Sequence, residues 1–200
     1  MVKLCICDID GVVANPEKRF QAAEIAKSLY LASTDRPDML QREATDHYWR
    51  TVFDPTLVET DTLVDEGVTE AIAAIEQHEE NDDLWQIVYL TSRPESMREA
   101  TLDWLTLHRL SGPKLVMKPS AFQYVKTITW KAGMVQTLAA MYRASYVLVV
   151  DDEQVNLNEI VKVAVIPPQV PGLMIAKSLA EAVAKLNGTW VEPEAFLPEE

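Results

Sequence analysis

Cysteine, histidine and basic residues are scarce in this chain of 200 residues. It holds two cysteines, three histidines, and 18 Lys and Arg against 31 Asp and Glu. Cys5 and Cys7 lie two apart in an apolar run. In a strand they share one face and cannot form a relaxed disulfide with each other. They read as buried core thiols, and nothing points to an oxidising compartment. His47, His78 and His108 lack the spacing of zinc ligands and read as surface or packing residues. The formal net charge of −13 repels polyanions, and there is no Lys/Arg cluster to offset it. That excludes an extended nucleic-acid interface, though not a site that grips one terminal phosphate. Long apolar runs are also missing. The run 146–150 is far below membrane-spanning length, and the opening residues lead into Asp8 and Asp10 rather than forming a signal peptide. The expectation is a cytoplasmic protein with no membrane partner. No internal repeat and no low-complexity tract is present.

What is present suits one compact domain with a small insertion. Hydrophobic residues make up 48% of the chain, enough for a sizeable core. Five short β-like runs stand out, at 2–7, 85–90, 114–117, 146–150 and 163–166. They are continuously apolar rather than alternating, as in strands covered on both faces. Helical patterns lie between them at 68–78, 94–108 and 130–142, with a last Ala-rich helix at 179–186. This alternation predicts an α/β, Rossmann-like, parallel five-stranded sheet with helices on both faces. Residues 15–65 break the rhythm with two expected helices, about 16–31 and 37–53. That is too long for a loop after a strand, and it predicts a small helical cap insertion. The domain reading is a core of 1–14 and 66–189, the cap, and a C-terminal tail at 190–200.

The polar residues gather where three of these runs end. Asp8-Ile9-Asp10-Gly11 follows the first, Thr91-Ser92-Arg93 the second, and Asp151-Asp152 the fourth. Ligands of open parallel sheets bind outside the carboxyl ends of the strands, so the three groups meet at one edge. Converging carboxylates repel one another, and a hard divalent cation relieves that. Oxygen donors without His or Cys favour magnesium (Mg2+) over zinc. Gly11 supplies the freedom for a turn that aims Asp8 and Asp10 at opposite sides of a phosphoryl group. One carboxylate can then attack phosphorus while the other moves a proton. Thr91 precedes Pro94, which suits the first turn of a helix and hence an anion site, although an ordinary helix cap uses the same residues. Lys131 falls in the expected first turn of a helix beginning near Thr129. A lysine there opposes the helix dipole, and a phosphate with carboxylates nearby reverses that cost. Lys118 and Lys126 are rivals for the same role.

Together these residues resemble the motifs of the haloacid dehalogenase-like superfamily. Asp8-Ile9-Asp10-Gly11-Val12-Val13 is similar to its first motif, Thr91 to its second, Lys131 to its third and Asp151-Asp152 to its fourth. Residues 90–95, 98–105, 115–119 and 130–131 are similar to the phosphatase module of bacteriophage polynucleotide kinase. No Gly-x-x-x-x-Gly-Lys-Ser/Thr loop accompanies them, so a kinase half is absent. The resemblance implies a phosphomonoester hydrolase in which Asp8 is the nucleophile and Asp10 the acid and base. It implies Mg2+ held by Asp8, the backbone carbonyl of Asp10 and Asp151, with Asp152 close by, and Thr91, Ser92, Arg93 and Lys131 on the substrate. The implied substrate is a nucleotide or a nucleic-acid 3′-phosphate, that is, a small phosphorylated molecule or a nucleic-acid terminus. Glu153 stands where the phage enzymes carry Arg, and Val12 where many relatives carry Thr. Three other readings fit parts of the pattern: a sugar-phosphate phosphatase, a catalytically silent binding protein of this fold, and a receiver domain. A receiver carries its acidic pair at the first strand, whereas here the adjacent pair follows the fourth.

Overall fold

The computed structural model describes residues 2–33, 41–78, 85–110, 114–165, 170 and 172–188. Five strands form one parallel sheet: β1 (Val2–Cys7), β4 (Trp85–Pro94), β5 (Lys114–Lys118), β6 (Ala144–Val150) and β7 (Leu173–Ala176). Their order is β5-β4-β1-β6-β7, which puts β1 at the centre with β4 and β6 on its flanks. Successive side chains of a strand point to opposite faces, and two packed layers follow from that. Leu4, Ile6, Val88, Leu90, Val147 and Val149 pack under α5 (Thr127–Met141) and α6 (Gln154–Ala164). Cys5, Cys7, Ile87, Tyr89, Leu148 and Val150 pack under α3 (Val68–Glu76), α4 (Arg98–Leu107) and α7 (Leu179–Leu186). This is the two-sided α/β sheet expected from the continuous apolar runs. Cys5 and Cys7 are free and buried, and burial with the nearby Glu76 charge pushes the Cys5 thiol up to about 12. Both thiols are therefore inert core residues.

The chain leaves the sheet after β1 and returns through a two-stranded antiparallel ribbon, β2 (Ala14–Asn15) with β3 (Thr62–Leu63). Between these strands α1 (Glu17–Ala32) and α2 (Gln41–Val52) pack on each other, followed by a 3-10 turn at Pro55–Thr60. The ribbon pins both ends of this helical insertion beside the carboxyl end of β1. Asp54 starts the 3-10 turn by accepting from the Thr56 N–H at 2.9 Å, with Pro55 at its first position.

Two local expectations are corrected. The strand expected at 163–166 is not one: Val163 and Ala164 finish α6, and Ile166 lies outside the described residues. Leu157, Ile160 and Ala164 are buried at helical spacing, while Val161 and Val165 are exposed. Helical periodicity outweighed the β-branched composition there. The fifth strand is β7, which pairs Val147–Val150 through Leu173–Ala176. The helix expected from Pro94 also begins later. β4 runs to Pro94, a 3-10 turn spans Glu95–Met97, and α4 starts at Arg98. The expected helix starts at 37–40 and the tail at 190–200 lie outside the described residues. No helix among the described residues is long and apolar enough to cross a membrane.

Candidate active site

The central strands stop where their carboxylates begin. Asp8 follows β1, and its N–H donates to the Val150 carbonyl at 2.8 Å. Asp151 follows β6, and its N–H donates to the Ala176 carbonyl at 3.1 Å. Beyond Asp8 the chain folds into a tight turn in which the Ile9 carbonyl accepts from the Val13 and Ala14 N–H groups. Gly11 sits at φ +85° in this turn, and a Cβ there would lie 2.2 Å from the Asp152 carboxylate. Glycine is thus required twice, for the backbone angle and for the approach of Asp152. Carboxylate oxygens of Asp8, Asp151 and Asp152 all lie within 4.8 Å of one another, an arrangement that suits a divalent cation.

Lys131 reaches this cluster from the second turn of α5, not the first. Its Nζ donates to Asp8 Oδ2 at 2.6 Å and to Asp151 Oδ2 at 2.7 Å. All three side chains are buried. Lys118 donates instead to the Val125 carbonyl, and Lys126 is exposed ahead of α5. Burial works against the Lys131 charge, but Asp8 and Asp151 hold its ammonium above the usual lysine range. Burial pushes the Asp8 carboxyl up to about 7 against the pull of Lys131, with Asp151 adding to the rise. The Asp152 carboxyl is also raised, by burial and by Asp151. Asn156 steadies the cluster from α6: its Nδ2 donates to Asp151 Oδ1 at 3.0 Å and to Glu153 Oε2 at 2.9 Å.

Asp10 turns the other way. Its carboxylate accepts from Arg93 Nη2 at 2.6 Å, from Arg93 Nε at 3.1 Å and from Arg19 Nη2 at 2.7 Å. Both arginines also bind Asp61, which accepts from Arg19 Nε at 2.9 Å and from Arg93 Nη2 at 2.7 Å. Burial alone would raise the Asp10 carboxyl, but Arg93 and Arg19 outweigh it and hold it below the usual carboxylate range. The Asp10 carboxylate is therefore not grouped with the three metal-type carboxylates. Arg93, expected on the substrate, is fully buried and engaged by Asp10, Asp61 and Thr101. Thr91 is also buried, and its hydroxyl accepts from the Arg93 N–H at 3.2 Å. Of that segment Ser92 lines the cavity above the cluster.

The sequence carries little sign that Arg19 and Asp61 join Asp10 and Arg93. Arg19 looks like one more charge on a cap helix, yet it is almost wholly buried. Its partners lie 9 and 42 positions away, at separations no local pattern reports. The signal that existed was weak: Arg19 lies at the start of α1, where a cation opposes the helix dipole.

A cavity of about 1020 Å³ opens over Asp8, Asp10 and Lys131, with the cap helices as its outer wall. Solved structures of similar fold include haloacid dehalogenase-like hydrolases and phosphatases. A predicted phosphatase from Clostridium acetobutylicum superposes with a TM-score of 0.63 at 10% identity, over 94% of this chain and 99% of that one. A subfamily IA hydrolase of the superfamily from Geobacter sulfurreducens gives 0.59 at 16% identity, over 92% and 100%. A haloacid dehalogenase-like family hydrolase from Streptococcus pneumoniae gives 0.58 at 11%, over 92% and 98%. No protein-family model and no curated protein matches the sequence. At these identities the likeness is one of fold: the chain has the haloacid dehalogenase-like fold, with the cap lying over the sheet edge that holds the carboxylates.

Two outcomes follow for stability. Arg19→Met leaves buried Asp61 and part-buried Asp10 short of a partner, and should lower the unfolding free energy by about 3–5 kcal/mol in urea titrations. Adding Asp61→Asn should restore part of that loss, and full additivity would contradict a shared network. The second concerns pH. Without a divalent cation, folded Asp8 keeps a proton up to about pH 7 that the unfolded chain, at an ordinary 3.8, releases. Stability should therefore fall as pH rises from about 4 to about 7 and level off above. The Asp10 contribution, from a lowered carboxyl, is lost only on acidification below that window. Thermal midpoints of wild type and Asp8→Asn test this: the variant should show a shallower slope, the remainder coming from the raised Asp152 carboxyl.

Proposed function

We propose that the protein is a magnesium-dependent phosphomonoester hydrolase that works through an aspartyl-phosphate on Asp8. The observation that carries this reading is the placement of Asp8. A buried carboxylate at the end of the central strand touches Lys131, belongs to a cluster of three carboxylates, and faces a large cavity. The haloacid dehalogenase-like fold supports it independently. Asp8, Asp151 and Asp152 offer hard oxygen donors only, which fits magnesium. The bound ion would offset the repulsion between an anionic nucleophile and an anionic substrate.

Each residue then has a task. Asp8 Oδ attacks phosphorus, and the bond from phosphorus to the ester oxygen breaks. Asp10 protonates the departing oxygen, then takes a proton from the water that attacks the aspartyl-phosphate. Inorganic phosphate leaves and Asp8 is restored. Lys131 holds charge against the phosphoryl oxygens, a role that suits a lysine kept protonated by two carboxylates. Thr91 orients the Arg93 backbone, and Arg93 with Arg19 orients Asp10. In the resting site Asp10 is ionised, the form that serves as base. An arriving phosphoryl group adds negative charge beside it and raises its carboxyl toward the acid form. The substrate class we favour is a nucleotide. A nucleic-acid 3′-phosphate is the second reading, weakened by the acidic surface and by Glu153.

Phosphate release tests the reading, with nucleoside monophosphates, sugar phosphates and 3′-phosphorylated oligonucleotides as substrates. Wild type with magnesium should turn over at least one class. Chelation should abolish release, and Asp8→Asn should lower it by about 10³-fold or more. Release that survives both would sink the proposal.

A further inference from the structure

The walls of the cavity above the cluster differ in chemistry from its floor. Apart from Lys131, no lining residue among those described is basic. Lys131 itself is already held between Asp8 and Asp151. The other charged lining groups are six carboxylates: Asp8, Asp10, Glu17, Glu24, Asp152 and Glu153. Those on the floor face Lys131 and the proposed cation site, but Glu17 and Glu24 stand on α1, away from both. Glu24 pairs with Lys27 at 3.8 Å, and Glu17 accepts from Gln21 Nε2. Between them the wall is apolar and aromatic. Phe20 and Ile25 come from α1 and Trp49 from α2, and Phe53 stacks on Trp49 with ring centroids 5.5 Å apart. Trp49 stays about half exposed although it lies in the cap's inner wall.

A second anionic group on the substrate would meet carboxylates here, where no described lining residue of the cap is basic. A ring would cover exposed aromatic surface. The volume, at the upper end for small-molecule sites, leaves room for a phosphoryl group and an attached ring system. We propose that the cap selects monophosphate esters whose organic part is aromatic and bears no further negative charge. This inference rests on the phosphatase reading above and narrows it. A nucleoside monophosphate qualifies, because its leaving group is an uncharged nucleoside. Nucleoside diphosphates, sugar bisphosphates and oligonucleotide ends do not.

Binding to the Asp8→Asn variant, measured by calorimetry with magnesium, separates selectivity from turnover. The probes are methyl phosphate, phenyl phosphate, para-carboxyphenyl phosphate and a 3′-phosphorylated oligonucleotide. Phenyl phosphate should bind about tenfold more tightly than methyl phosphate. The added carboxylate should cost about tenfold, and the oligonucleotide should bind more weakly still. Glu17→Gln with Glu24→Gln should reduce the carboxylate penalty to about threefold or less and leave phenyl phosphate unchanged. Trp49→Ala should bring phenyl phosphate toward methyl phosphate. Equal binding of the charged and uncharged rings, preference for the oligonucleotide, or no binding of any probe would overturn the inference. Wild-type turnover of the same probes keeps the two claims apart. Turnover of all without discrimination leaves the phosphatase reading standing and removes this one. Discrimination in binding without any turnover does the reverse.

Discussion

Buried negative charge is the constraint around which this molecule is arranged. Asp8, Asp61 and Asp151 are almost fully buried, and Asp10 lies beside them. Carboxylates out of water are tolerated only when cations and donors surround them. Two separate devices meet that need. Lys131 and the Asn156 amide serve Asp8 and Asp151, while Arg19 and Arg93 serve Asp10 and Asp61. The first pair of carboxylates, with Asp152, still carries more negative charge than Lys131 can balance. That surplus, at the end of the central strands, is where a metal and a phosphoryl group find their place in the proposed chemistry.

The second device also ties the parts of the chain together. Arg19 comes from the first cap helix, Asp61 from the return of the cap, Arg93 from β4 and Asp10 from the turn after β1. The Trp104 indole N–H donates to the Asp61 carbonyl at 3.0 Å and brings in α4. Arg19 Nη1 donates to the Val52 carbonyl at 3.0 Å, at the end of the second cap helix. The cap is therefore joined to the proposed proton-transfer residue by charge-assisted hydrogen bonds rather than by apolar contact alone. A change in how the cap sits must change what surrounds Asp10. The apolar cap wall and the reactive floor are parts of one connected structure.

Legibility in the sequence followed the range of the interactions. Strands with continuous apolar runs and the polar groups at their ends were readable, because both are local. So were Gly11 as a turn and Lys131 as the lysine for the cluster, the latter through resemblance rather than spacing. Residues 163–166 misled because β-branched composition and helical periodicity pointed in opposite directions, and the burial of Ile160 and Ala164 decided between them. The resemblance implies Arg93 on the substrate, whereas its guanidinium binds Asp10 and Asp61. Those carboxylate partners are 83 and 32 positions away and no local pattern names them. Arg19 and Asp61 were invisible for the same reason, since their pairing exists only once the cap folds back over β1.

Trapping the intermediate tests the central claim most directly. A single-turnover reaction with magnesium and a reactive aryl phosphate, quenched in acid and reduced with borohydride, converts an aspartyl-phosphate to homoserine at the residue that carried it. Peptide mapping then reads the position. The account predicts substrate-dependent homoserine at residue 8 and none in Asp8→Asn. Turnover with Asp8 unmodified, or with the mark on another residue, would contradict it.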